Sequence, residues 1–200
     1  SHIDGTTAVS ALIPAIALAP SCNGSPMTIT DSSVSGSTGP VGQAFAIVEE
    51  CQYIYTAQES APSTSLVITR STISHNQTAI HVDVDRTFTV DIIDSHLDDN
   101  GTAGIHATGS SMSIGGTVYP ASVPITLRRS TVDRNGAQGG GGGITSDLGP
   151  LTVEDSSVSG NVRSSACTSR CAGGISVWKG DLSLRRSTVA SSSSGAANAV

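Results

Sequence analysis

The sequence predicts an all-β fold, a parallel β-helix (solenoid) of about six coils of three short strands, uncapped at both ends. Three observations predict it. A short motif recurs seven times, its apolar residues alternate with the two-residue period of half-buried strands, and the composition suits a thin core. Charged residues make up 13% and aromatics 3% of the 200 residues, whereas 37% are hydrophobic and 22 are glycine. So few aromatics argue against a thick globular core, and evenly spread Val, Ile and Leu argue against disorder. A solenoid interior is only about one or two side chains across, a width that Val, Ile, Leu and Ala fill.

The motif reads apolar-x-apolar-x-x-Ser-x-apolar-x-x-Asn/Ser. It occurs as MTITDSSVSGS from Met27, LVITRSTISHN from Leu66, VDIIDSHLDDN from Val90, ITLRRSTVDRN from Ile125, LTVEDSSVSGN from Leu151 and LSLRRSTVASS from Leu182. SHIDGT at Ser1 makes the seventh copy. In each first strand the two apolar columns begin at Met27 and Ile29 and recur to Leu182 and Leu184. The chain bends at the serine column: Ser32, Ser71, Ser95, Ser130, Ser156 and Ser187. A second short strand then turns Ile3, Val34, Ile73, Leu97, Val132, Val158 and Val189 inward.

Each copy closes on Asn76, Asn100, Asn135 or Asn161, with Thr6, Ser37 and Ser192 in the same slot elsewhere. Asparagine tolerates the left-handed conformation of a sharp turn, and stacked amides hydrogen-bond from coil to coil, so this column predicts an asparagine ladder. A third strand follows around Ile47, Ile80, Ile105, Ile144 and Ile175, and the terminal AANAV begins another. Serine-to-serine spacings of 31, 39, 24, 35, 26 and 31 place the excess length in loops. QYIYTAQESAPS, SSMSIGGTVYPASV and RSSACTSRCA are such loops, and Gly139 to Gly143 form an insertion ending in a close-packed strand entry.

The residue before each column serine runs Asp31, Arg70, Asp94, Arg129, Asp155, Arg186. Coils stack about 4.8 Å apart, so opposite charges face each other, and a one-coil slip would bring like charges together. The column therefore sets register. Cys22 and Cys51 are 29 residues apart, close to the 31-residue spacing of their coils, which predicts a disulfide between adjacent coils. Cys167 and Cys171 staple a loop tip. A four-cysteine zinc site would need two close pairs and is not expected. Disulfides in a Ser/Thr/Gly-rich, Lys-poor chain point to an extracellular or cell-surface location.

The pattern resembles the right-handed parallel β-helix repeat proteins, the pectin-lyase-like superfamily, across essentially the whole chain. That resemblance implies fold more than function, because lyases, hydrolases, epimerases, adhesins and phage tailspikes share the architecture. In the enzymes substrate lies in a groove along one parallel sheet. By that analogy the third strands carry the candidate site: His81, Asp83 and Asp85 outside, His106 stacked on His81, and Thr108 over Asp83. Thr145 and Asp147, then Ser176 and Trp178, continue the strip. Such residues suit an acid/base pair, a cation site or a sugar-binding strip with Trp178 as platform. The plainer expectation, solvent-facing polar residues on a strand, weighs more.

The family's catalytic sets are incomplete here. Of the polygalacturonase-like sets only Asp98-Asp99 is present, in the turn before Asn100; Gly-His-Gly is missing, and the only lysine is Lys179. Lyase-like members need an acidic calcium site with a basic residue above it, and Asp83 and Asp85 have only neighbouring Arg86. No cofactor or protein-bound metal is expected, calcium being the one ion weighed.

A formal charge of −6 with no basic run excludes a nucleic-acid footprint. The apolar run Ala8 to Ala19 is too short for a membrane span and lacks the basic flank of a signal peptide, which leaves a buried strand region. Residues 1–200 read as a single β-helix segment of a longer chain, opening and closing inside a motif. The leading functional expectation is an extracellular or cell-surface structural segment, a rigid spacer or adhesin-like stalk that contacts polysaccharide or copies of itself end to end. The alternatives are a polysaccharide-active lyase, epimerase or glycoside hydrolase, and a tail-fibre or filament component.

Overall fold

Each motif copy delivers its strands to separate sheets, and in each sheet the next copy lies alongside. The computed structural model describes residues 2–4, 16–18, 26–37, 45–51, 64–114, 117–136, 141–163 and 172–191. In the first sheet Met27–Thr30, Thr64–Thr69, Phe88–Ile93, Ile125–Arg128, Leu151–Glu154 and Leu182–Arg185 follow one another in space as in sequence. All pairings are parallel, and the register aligns Met27, Leu66, Val90, Ile125, Leu151 and Leu182, as the repeat requires.

The second sheet holds His2–Asp4, Ser33–Ser35, Thr72–Ser74 and His96–Asp98. Single bridges from His96 to Thr131 and from Thr131 to Ser157 continue it to Ser157–Asn161 and Thr188–Ser191. The third sheet runs Ile16–Leu18, Phe45–Cys51, Thr78–Val84, Ala103–Gly109, Gly142–Ser146 and Ile175–Val177. Its first strand comes from the apolar run Ala8 to Ala19, and Ile16 heads the isoleucine column ahead of Ile47. The arrangement is all-β and parallel, with no helix among the described residues, and is compatible with a β-helix.

The core lies between the sheets. Leu66, Ile68, Ile73, Ile80, Ile92 and Leu97 are among its fully buried members. Each such side chain contributes about 1.5–3 kcal/mol relative to exposure. The residue before each third-strand isoleucine is small, Ala46, Ala79, Gly104, Gly143 and Gly174, because that position lies against the neighbouring strand and turn. A Cβ built on Gly143 would come within 2.1 Å of the Gly174 carbonyl oxygen and 3.0 Å of Asn161 Nδ2.

Two polar ladders line the turns. Each column serine donates its hydroxyl to the carbonyl two residues back, as Ser71 does to Thr69 at 2.8 Å and Ser95 to Ile93 at 2.7 Å. From Ser71 onward each also accepts the backbone N–H of the preceding serine: Ser32 to Ser71, Ser71 to Ser95, Ser95 to Ser130, Ser130 to Ser156 and Ser156 to Ser187, at 3.1–3.2 Å. The asparagines repeat the scheme in amide form. Asn76 donates its backbone N–H to Asn100 Oδ1 at 3.1 Å, Asn100 to Asn135 at 2.9 Å, and Asn135 to Asn161 at 2.8 Å. Ser37 heads this ladder by donating its N–H to Asn76 Oδ1.

Every non-glycine residue of positive φ among those described lies at one of these two corners. Asp31, Arg70, Asp94, Arg129, Asp155 and Arg186, just before the serines, have φ of 46–51°. At the second corner the pattern predicts the left-handed residue at the asparagine, but the structure puts it one position earlier. His75, Asp99 and Arg134 have φ of 56–58°, and Gly36 before them and Gly160 after them hold the same position with positive φ. Reversing the chain there lets the asparagine amide turn inward to the carbonyl two residues back, as Asn100 Nδ2 does to Asp98 at 3.1 Å. A left-handed L-residue costs about 1–2 kcal/mol, a cost that the hydrogen bonds on either side of it offset.

The charge column forms bidentate pairs reaching back one repeat. Arg70 holds Asp31 at 2.7 and 2.7 Å, Arg129 holds Asp94 at 2.6 and 2.9 Å, and Arg186 holds Asp155 at 2.5 and 2.8 Å. A parallel pair, Arg134 to Asp99 at 2.8 and 2.7 Å, stands at the other corner. The predicted loop SSMSIGGTVYPASV contains an antiparallel pair instead, Met112–Ile114 with Thr117–Tyr119, inserted between two sheet strands. Cys22, Cys167, Cys171 and the terminal AANAV lie outside the described residues. Cys51 closes a third-sheet strand in register with Val84.

Candidate functional site

The third sheet presents two outward columns. Register pairs His81 with His106, His106 with Thr145, and Thr145 with Ser176. Two residues further along each strand, Asp83 and Thr108 are in register. Asp147 continues that column through its N–H to the Ala107 carbonyl, and Trp178 through its N–H to that of Ser146, both at 2.9 Å. The residues expected to form one strip are therefore brought together, with the exception of Asp85.

Asp85 is buried, with 8% of its surface exposed, rather than outward. The strand ends at Val84, and the bend at Asp85 and Arg86 breaks the alternation that would have turned Asp85 to solvent. It lies 3.9 Å from the Arg86 guanidinium, which is itself buried, so this pair belongs to the packing of the bend. Thr145 is likewise buried.

The imidazoles of His81 and His106 sit 5.2 Å apart, centre to centre, tilted by 44°. Burial, then the neighbouring His106, lowers the His81 pKa to about 4. Burial also lowers that of His106, against the opposing pull of Asp147 and Asp83. Both rings are neutral at neutral pH, and an acid/base catalyst works best with a pKa near the operating pH. A group near 4 is a weak base at pH 7. Among the described residues, no group of three or more His, Cys, Asp or Glu is placed to hold a metal ion. Trp178 is 56% exposed at one end of the strip and offers a flat apolar face.

Asp98 and Asp99, the one pair shared with hydrolase-like sets, are engaged elsewhere. Asp98 accepts the Thr131 hydroxyl and the Asp133 N–H at 2.9 Å, and Asp99 takes the Arg134 fork. Asp133 in turn accepts the Ser159 N–H at 2.6 Å and the Ser157 hydroxyl at 3.0 Å. This network on the second sheet was hidden in sequence, because its members come from different repeats and have no fixed spacing. The only available signal was the recurrence of Ser, Thr or Asp on either side of the inward residue.

Along the charge column the hydrogen-bonded guanidiniums hold Asp31, Asp94 and Asp155 below the usual carboxylate range. No helix among the described residues is long and apolar enough to cross a membrane. Comparison with known proteins gives no matching family model, no matching curated protein and no matching solved structure.

Proposed function

We propose that the chain is an extracellular or cell-surface structural segment, a rigid spacer or adhesin-like stalk whose third-sheet face contacts glycan. In this reading it is a right-handed parallel β-helix of about six coils on the pectin-lyase-like plan. The observation that carries it is where the recurring polar side chains go: the serines, asparagines and paired Asp and Arg residues join one repeat to the next. A stack cross-linked at two corners resists bending, which is what a spacer needs. The lowered histidine pKa values argue in the same direction, since they leave both rings poor proton donors and weak bases at neutral pH.

The strip supports a choice of glycan. Trp178 supplies a stacking face, while Asp83 and Asp147 supply acceptors for hydroxyl or ammonium groups. Their negative charge repels polyuronates, so a neutral or amino-sugar polymer is the expected contact. Retardation in gels containing neutral polysaccharide, lost in Trp178→Ala, tests this; equal retardation of the two proteins would sink it.

A polysaccharide-active enzyme is the second reading, favoured by one observation. Asp83 and Asp147 occupy one column two repeats apart, about 9.6 Å at the usual strand spacing. That is close to the ~6.5–9.5 Å separation of inverting glycosidases. Turnover of any polysaccharide in a panel, abolished by Asp83→Ala or Asp147→Ala, would establish it and displace the structural reading.

A further inference from the structure

We infer that Asn100 and Asn135 are latent deamidation sites, which turn a transient opening of the repeat stack into a permanent break. Each is followed by glycine, Gly101 and Gly136. In an Asn-Gly pair no Cβ shields the following backbone nitrogen, and the chain bends freely enough for that nitrogen to reach the asparagine Cγ. The reaction is balanced without any redox partner. The glycine nitrogen loses its proton and bonds to Cγ, the Cγ–Nδ2 bond breaks, and ammonia leaves a five-membered imide. Water then opens the ring at either carbonyl, giving aspartate or isoaspartate.

The closed stack blocks this chemistry at each participant. The Gly101 N–H is committed to the Asn76 carbonyl at 2.7 Å, and the Gly136 N–H to the Asn100 carbonyl at 2.9 Å. The leaving amide is pinned as well: Asn100 Nδ2 donates to Asp98 O at 3.1 Å, Ile73 O at 3.1 Å and Asn135 Oδ1 at 2.9 Å. Asn135 Nδ2 is held on Leu97 O and Asn161 Oδ1, both at 2.9 Å. Both residues are buried, at 1% and 0% exposure, so water is kept from the site. Separating either residue's repeat from the one before it frees the glycine N–H and removes one of the amide's acceptors, Ile73 O for Asn100 and Leu97 O for Asn135.

The product cannot return to the ladder. Where Asn100 gave hydrogens to three acceptor oxygens, an aspartate would place a carboxylate oxygen against the same three, buried. Isoaspartate also lengthens the backbone by one atom and shifts the turn. The glycine is not demanded at every repeat, since Gln77 follows Asn76 and Val162 follows Asn161 in the same ladder. At 136 it is held by packing: a Cβ there would fall 2.0 Å from the Val162 carbonyl oxygen, with φ at +96°.

The test is peptide mapping by mass spectrometry of the full chain aged at mildly alkaline pH, folded and in urea. In urea, Asn100 and Asn135 should convert well ahead of Asn76 and Asn161, and Gly101→Gln should slow conversion at Asn100 by about tenfold or more. Without urea both sites should be protected by about tenfold or more, with rates that climb as sub-denaturing urea raises the open population. Asn100→Asp, standing in for the product, should lose the cooperative urea transition or show a much lower midpoint. Equal rates folded and unfolded, no lead over Asn76 and Asn161 in urea, or an Asn100→Asp protein as stable as its parent would each overturn the inference.

Discussion

Acid should weaken this protein in a window set by histidine rather than by its carboxylates. His81 titrates near 6.5 when unfolded and near 4 when folded, because burial beside His106 disfavours the charged ring. Between those values the unfolded chain binds more protons, so stability is full above about pH 6.5 and falls as pH drops towards 4. A difference of about 2.5 pKa units corresponds to roughly 3 kcal/mol lost across the window. His106, shifted the same way, adds to the loss. The paired carboxylates act lower down: Asp31, Asp94, Asp99 and Asp155 have lowered pKa values, so their contribution fades only as pH falls below the normal carboxylate range. Urea unfolding at about pH 7 and about pH 4.5 should show most of the histidine loss. In His81→Gln, which cannot titrate, the loss should shrink to the part due to His106. A wild-type midpoint that does not move, or an identical drop in His81→Gln, would refute the reasoning.

Three further outcomes are expected. Ser95→Ala removes the acceptor of the buried Ser71 N–H and should cost about 1–3 kcal/mol in chemical denaturation, whereas an exposed serine would cost nearly nothing. Gly143→Ala should be strongly destabilising, since its Cβ meets backbone; Gly160→Asn should be nearly neutral, since equivalent corners hold Asp99 and Arg134 and the nearest atom is 3.3 Å away on a flexible arginine. A double-mutant cycle on Asp94 and Arg129 should give a favourable coupling that shrinks with added salt; a salt-independent value would contradict a solvent-exposed pair.

The sheet registers were legible because repetition supplies its own control. Leu66, Val90 and Ile125 are different side chains, but their shared offset from a serine identifies one column. The charge alternation was legible for the same reason. The left-handed residues were not, because Arg70 and Arg129 carry no local signal for that conformation; the serine ladder imposes it. Asp85 misled because alternation was extended past the end of its strand. Ile16 was missed as the head of its column because the distance from column serine to third-strand isoleucine is not fixed, being 15 residues from Ser32 to Ile47 but 9 from Ser71 to Ile80. The site was legible in membership only. That His81 and His106 stack follows from counting, but their burial depends on what surrounds the strip, which spacing does not encode.

Both turn ladders share a direction: the N–H of one repeat is received by a side-chain oxygen of the next. A ribosome delivers those repeats in the same order, so each emerging turn holds its donors open until its successor is synthesised. Completion of any one repeat is thus deferred by one step during translation. A pause in synthesis should leave a single unfinished edge at the newest repeat, while every earlier turn is already closed.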